Sequence, residues 1–511
     1  MAVARTRSVA LVGVTGRTVE VEADVGNGLA GIHLIGLPDT ALSEARDRVR
    51  SAVVNSTYPW PDARIIVSLF PASLPKRGSQ FDLAIAVAIL GAAGVVPAER
   101  VAEPFFLGEL GLDGRIRPVR GVLPSVLGAA KHGDAMVIVP SANSAEAALV
   151  PDVKVVPVAT LRQLVEWLRN GDETPEPQVE EGAEPPSTTT DPAVDLADVV
   201  GQPVARRALE VCAAGGHNLW MLGPPGTGKT MLAERLPTLL PDLELDHALE
   251  VTAIHSVAGV LPPSAPMMNR PPFVSPHHTA TAAAIIGGGS TIVRPGAVSL
   301  AHRGVLFMDE APEFPRHVLD ALRQPLESGR VTVSRSAGSV TFPARFMLVL
   351  AANPCPCAQA EDQGGTCKCS PTVRRRYLGR LSGPLLDRVD MKVTVARASR
   401  RELMADRQFA ESSATVAERV LVARERAAKR LAGTPWRTNA EIPSSVLHSD
   451  FRPSPKAMKP MTSCLDSGTL TARGLDRAVR VSWTLADLAD KECPQEEETT
   501  AALHFWLGVT S

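Results

Sequence analysis

Gly223-Pro224-Pro225-Gly226-Thr227-Gly228-Lys229-Thr230 directly follows the apolar run Asn218 to Leu222. Glycines at these spacings, closed by Lys-Thr and preceded by a strand, are the pattern of a phosphate-cradling loop. The glycines let backbone N–H groups turn inward, and the helix that follows offers its positive N-terminus. Lys229 is then expected to reach the β- and γ-phosphates and Thr230 to bind magnesium. A glycine-rich turn with an accidental Lys-Thr is the plain alternative, and the strand in front of it weighs against that. The sequence therefore predicts an ATP site with magnesium.

Downstream, Gly304-Val305-Leu306-Phe307-Met308 reads as a buried strand that ends in two acids, Asp309 and Glu310. Behind a phosphate loop, Asp309 is expected to hold magnesium and Glu310 to orient and polarise the attacking water, because phosphoryl transfer is catalysed mainly by positioning and charge stabilisation. Alone, two acids at a strand end could be a solvated turn. A further apolar run, Phe346 to Ala351, leads to Asn353, whose neutral amide could contact water or γ-phosphate without repelling it. Asn353 could equally be a turn residue, and chain order favours the sensing role.

Short apolar strands alternating with helical patterns predict an α/β fold, a parallel sheet covered on both faces. With 511 residues the chain exceeds one ordinary core. The clearest break is Gly171 to Asp195, rich in Pro, Glu and Thr. We therefore expect a mixed α+β domain over 1–170, a tether over 171–195, an ATPase core over 196–398 and a helical lid over 399–511. Hydrophobic residues form 45% and charged residues 21%, and no run approaches the ~20 apolar residues of a membrane span. The first sixteen residues read as a strand and not as a targeting segment, so the expected location is cytoplasmic, with no membrane partner. A net charge of −2 does not announce a nucleic-acid partner, although a ring can concentrate its basic residues in a channel.

Four of the seven cysteines, Cys355, Cys357, Cys367 and Cys369, cluster after the Asn353 strand. Four thiolates suit a tetrahedral structural zinc, although the usual spacing is wider than C-x-C. A labile disulfide or reduced, unliganded thiols remain the alternatives.

Taken with these motifs, the stretches Gly36 to Thr40, Pro276-His277-His278-Thr279, Ser299 to His302, Leu322 to Leu326, Asn353 to Cys357, Ser382 to Arg388 and Leu485 to Leu488 resemble the magnesium-chelatase-like AAA+ ATPases of the YifB/ComM type, along nearly the whole chain. The resemblance implies a AAA+ core with a helical lid, a ring of six subunits, and a cation donated across each interface. Arg388 looks like that arginine finger, which would neutralise transition-state charge, and Arg473 like the second sensor of the lid. Either could instead be a surface or helix-end arginine.

Within the N-terminal part, 36–52, 75–84 and 106–124 resemble the Lon-type protease domain. The alignment puts Gln80 where its serine is needed and Leu123 where its lysine is needed, so no serine–lysine dyad and no protease activity is expected. The better-described members of the family resemble DNA helicases that drive branch migration, which implies DNA, single-stranded or branched, as a partner. His277, His278 and Arg294, with flexible Gly287 to Gly289, and the hairpin near Ser334 and Arg335 are candidate DNA contacts. Val274-Ser275 departs from the family, which usually has an arginine after the phenylalanine. Competing readings are the motor of a metal-inserting chelatase and a protein-remodelling ATPase.

Overall fold

A computed structural model describes residues 2–36, 44–76, 78–171, 194–262, 266–289, 293–335, 338–357, 367, 369–406 and 409–508. Most of the expected tether, residues 37–40 of the Gly36 motif, Arg77, and 290–292 of the glycine-rich insertion lie outside the described residues.

The N-terminal strands are β1 (Ala2–Val12), β2 (Thr15–Gly26), β3 (Gly31–Ile35), β4 (Arg64–Phe70), β5 (Phe105–Phe106), β6 (Met136–Pro140) and β7 (Lys154–Val158). Among the described residues they form one seven-stranded sheet in the order β3-β4-β2-β1-β5-β6-β7. β1 and β2 make a long antiparallel ladder from Ala2 opposite Val25 to Val12 opposite Thr15. Helix α1 (Asp82–Ala92) is apolar all round after its first residue, Asp82, which pairs with Arg48, and it is entirely buried, as a helix at the centre of a core must be. Helix α2 (Val122–Ala130) contributes Val122, Leu123, Val126 and Ala129 to a second cluster, which also takes in Ala253.

The second sheet is parallel throughout. Its strands are β8 (Leu219–Leu222), β9 (Phe273–Val274), β10 (Val305–Met308), β11 (Met347–Ala352) and β12 (Met391–Thr394), in the spatial order β9-β10-β11-β8-β12. All four residues of β10 and all six of β11 are buried, because these strands lie inside the sheet with both faces covered. One face packs on Ala208, Leu232 and the C-terminal helices α3 (Ser413–Arg430), α4 (Ala472–Leu488) and α5 (Glu496–Leu507), the other on Phe314, Leu319 and Leu385. Parallel strands send all their carboxyl ends to one edge, where open α/β sheets bind ligands. β11 stands between β8 and β10, so the chain leaving it emerges between the phosphate-loop segment and the Asp309-Glu310 segment.

The two halves meet at the helix Leu245–Ala258. Ser256 Oγ donates to buried Glu146, Leu123 N donates to the same carboxylate oxygen at 2.8 Å, and Gly121 N donates to Ser256 O at 3.3 Å. The hairpin Arg330–Arg335 and Gly338–Pro343 forms where the sequence suggests one. No helix among the described residues is long and apolar enough to cross a membrane.

Candidate ATP site

The loop after β8 is anchored where Gly223 N donates to Ala352 O at 3.1 Å. A Cβ on Gly223 would stand 2.2 Å from Val395 O, so only glycine fits that approach. Gly226 and Gly228 take φ of +74° and +90°, left-handed values that turn the backbone around the cradle without β-carbon strain. Thr227 Oγ1 donates to Pro224 O at 2.9 Å, and Pro225 completes the turn.

Lys229 opens the helix Lys229–Arg235, and its ammonium folds back into the loop. Its Nζ donates to Gly223 O at 2.7 Å, Pro224 O at 2.9 Å and Asn353 Oδ1 at 3.1 Å. Burial lowers its pKa, while Asp309 and Glu310 pull the other way. Thr230 Oγ1 donates to Asp309 Oδ2 at 2.8 Å, and Asp309 Oδ1 accepts from Glu310 N at 2.9 Å. A hydroxyl and a carboxylate this close are the hard oxygen pair that suits magnesium carried by a nucleotide. Glu310 has a φ of +49°, a left-handed conformation for a non-glycine residue, and its carboxylate is half exposed.

The structure thus brings Gly223 through Thr230, Asp309, Glu310 and Asn353 to one sheet edge. The two arginines form a separate group. Arg388 pairs with Glu327 and donates to Pro384 O, while Arg473 Nη1 lies 3.2 Å from Asp387 Oδ2. Neither hydrogen-bonds to the phosphate loop among the described residues.

A family profile described as "Magnesium chelatase, subunit ChlI" matches residues 195–403, one for subunit ChlI of magnesium chelatase matches 21–143, and one for its C-terminal region matches 410–506. Competence protein ComM of Haemophilus influenzae is 42% identical over 495 residues, covering 96% of this chain and 95% of its own. Escherichia coli YifB is 40% identical over 498 residues, covering 97% and 95%. The chain belongs to the YifB/ComM family of magnesium-chelatase-like proteins. A Mycobacterium tuberculosis protein is 52% identical over 505 residues, covering 99% of both chains.

In this YifB/ComM-family protein, residues that the sequence left unassigned join the parallel sheet to the C-terminal helices. Asp390, fully buried immediately before β12, accepts from Arg477 Nη1 of α4 and from Asn218 N, both at 2.8 Å, with His217 Nδ1 at 3.7 Å. Burial alone would raise its pKa, but Arg477, His217 and the Asn218 amide hold it well below the usual carboxylate range. Only the packing of α4 against the sheet brings this pair together.

Of the candidate DNA contacts, His278 stands beside Glu310, and His277 lies against its ring. His278 Nδ1 lies 3.4 Å from Glu310 Oε2. Of the other candidates, Arg294 is exposed, and the side chain of Arg335 lies outside the described residues.

The four cysteine sulfurs gather within 4.8 Å of one another, with Cys355 Sγ 3.1 Å from Cys357 Sγ and both 3.4 Å from Cys367 Sγ. A tetrahedral site with Zn–S bonds of roughly 2.3 Å needs sulfurs about 3.8 Å apart, close to this arrangement. Burial first, then hydrogen bonding with Cys357 and Cys367, pushes the Cys355 thiol up. The backbone hydrogen bond from Cys369 leads the causes that pull Cys367 down.

In the N-terminal half, Ser79 Oγ hydrogen-bonds to Glu109, Gln80 Nε2 donates to Val9 O at 3.0 Å, and Leu123 is buried. Lys76, also fully buried, donates to the carbonyls of Pro71 at 2.5 Å, Leu74 at 3.3 Å and Gly36 at 3.4 Å.

Proposed function

We propose that this protein is an ATP-hydrolysing subunit of a six-membered ring that translocates on branched or single-stranded DNA and drives branch migration. The observation that carries the ATPase part is the convergence of Lys229, Thr230, Asp309 and Asn353 at the carboxyl ends of three adjacent parallel strands. Lys229 would leave its loop carbonyls for the β- and γ-phosphates, and Asn353, already at its Nζ, would follow the γ-phosphate. Thr230 and Asp309 would hold the magnesium that accompanies ATP and neutralises phosphate charge. Glu310 would polarise the attacking water. Arg388 would act across the interface on the neighbouring subunit's nucleotide, and Arg473 would report nucleotide state to the lid. Cys355, Cys357, Cys367 and Cys369 would hold a structural zinc with no open position, fastening the segment after Asn353. The N-terminal half would scaffold the ring without proteolysis, in the cytoplasm.

The DNA part is supported by the name of the competence relative and its near full-length match. The ChlI descriptions of the matching profiles favour a second reading, a chelatase-like motor acting on a metal-inserting partner. A fluorescently labelled four-way junction separates the two. ATP-dependent conversion of the junction into two duplexes, absent with a non-hydrolysable analogue, is the expected outcome. ATP turnover with no conversion of any junction would favour the chelatase-like reading.

A further inference from the structure

We infer that His278 is a positioning residue for Glu310, fixing the direction in which that carboxylate meets the attacking water; the inference rests on the role proposed above for Glu310. β9 runs parallel to β10 with Val274 opposite Leu306, so both strands leave the sheet at the same edge. The chain leaving β9 therefore reaches His277 and His278 where β10 delivers its acids. Among the described residues, His278 is the basic side chain within ion-pair range of the Glu310 carboxylate, Nδ1 to Oε2 at 3.4 Å.

The imidazole is itself held. His277 lies against its ring with centroids 4.1 Å apart, and the edge of buried Phe314 meets it at 6.5 Å and 82°. His277 is fastened in turn by a 2.8 Å hydrogen bond between its Nδ1 and Thr279 Oγ1. Nearby Arg380 is committed to Pro312 O and Glu313, so it does not compete for Glu310.

A half-exposed glutamate samples several rotamers, and a group that must aim at one water loses efficiency when it does. A base held by a third group is the recurring solution. Here the imidazole stands beside Oε2 and leaves Oε1 to accept from the water. The same segment continues into the helix Ala282–Ile286 and the paired Gly287–Gly288 and Arg294–Pro295, so the insertion is built onto the residue that aims the acid.

The test uses the full chain and compares His278→Ala, His278→Asn and Glu310→Gln. Steady-state ATP hydrolysis supplies kcat and KM, and titration with a fluorescent ATP analogue supplies Kd. His278→Ala is expected to lower kcat about tenfold while KM and Kd stay within about twofold, a cost typical of a misaimed group. His278→Asn, which keeps an N–H donor, is expected to recover most of that loss. Unchanged kcat in His278→Ala while Glu310→Gln is inactive would overturn the positioning role alone, as would an equal loss in Ala and Asn with nucleotide binding intact. Full turnover by Glu310→Gln would overturn the assignment of the acid itself.

Discussion

Asn353 Oδ1 accepts a 3.1 Å hydrogen bond from Lys229 Nζ, joining the end of one central strand to the helix that follows its neighbour. The contact places the amide beside the cation that would meet the γ-phosphate. Asn353→Ala is therefore expected to bind the fluorescent ATP analogue with near-normal affinity and to hydrolyse ATP on the order of 100-fold more slowly, the scale of losing one polar group from a transition state. Parallel binding and turnover measurements check it, and unchanged turnover would remove Asn353 from the proposed machinery.

The phosphate loop was legible because its requirements are local. Two glycines at positive φ, a lysine and a threonine are fixed by what a tight turn around phosphate demands. The acids at 309 and 310 were legible because a fully buried parallel strand is an unbroken apolar run. His278 beside Glu310 was not, since that contact depends on which strand lies at the sheet edge. Asp390 and Arg477 were missed for a similar reason: they lie 87 residues apart and meet only when α4 packs on the sheet. The cysteines showed their number and spacing in the sequence, whereas the approach of Cys355 to Cys367 is a property of the fold.

Arg388 and Arg473 have partners within their own chain, Glu327 and Asp387, and neither bonds to the phosphate loop among the described residues. If Arg388 serves a neighbouring subunit, Arg388→Ala should bind nucleotide normally and lose hydrolysis by roughly 10³-fold. Mixing it with inactive Lys229→Ala should restore part of the rate through interfaces that combine an intact loop with an intact arginine. No recovery at any mixing ratio would contradict action across the interface.

Asp390 carries a stability prediction with a definite sign. Its folded pKa lies below the unfolded value near 4, so its contribution is complete above about pH 4 and is lost as the pH falls below that value. Arg477→Leu leaves a fully buried carboxylate without its cation, which is expected to cost about 3 to 5 kcal/mol. Urea unfolding at neutral pH checks the magnitude, and a change below ~1 kcal/mol would show that His217 and the Asn218 amide suffice.

Protein purified without chelator should carry about one zinc per chain by elemental analysis, bound by the four clustered thiolates. Cys357→Ser should lose the metal and lower the melting temperature, and chelation of the wild type should do the same. Zinc-free protein with an unchanged melting temperature on chelation would assign the cluster to free thiols.

The most direct test of the central claim is ATP hydrolysis by the purified full chain with and without four-way-junction DNA, with Lys229→Ala as the control. A ring motor working on DNA predicts turnover that the junction stimulates severalfold and that Lys229→Ala abolishes under both conditions. Turnover indifferent to every DNA offered would contradict the DNA motor, and equal turnover by Lys229→Ala would contradict the ATP site itself.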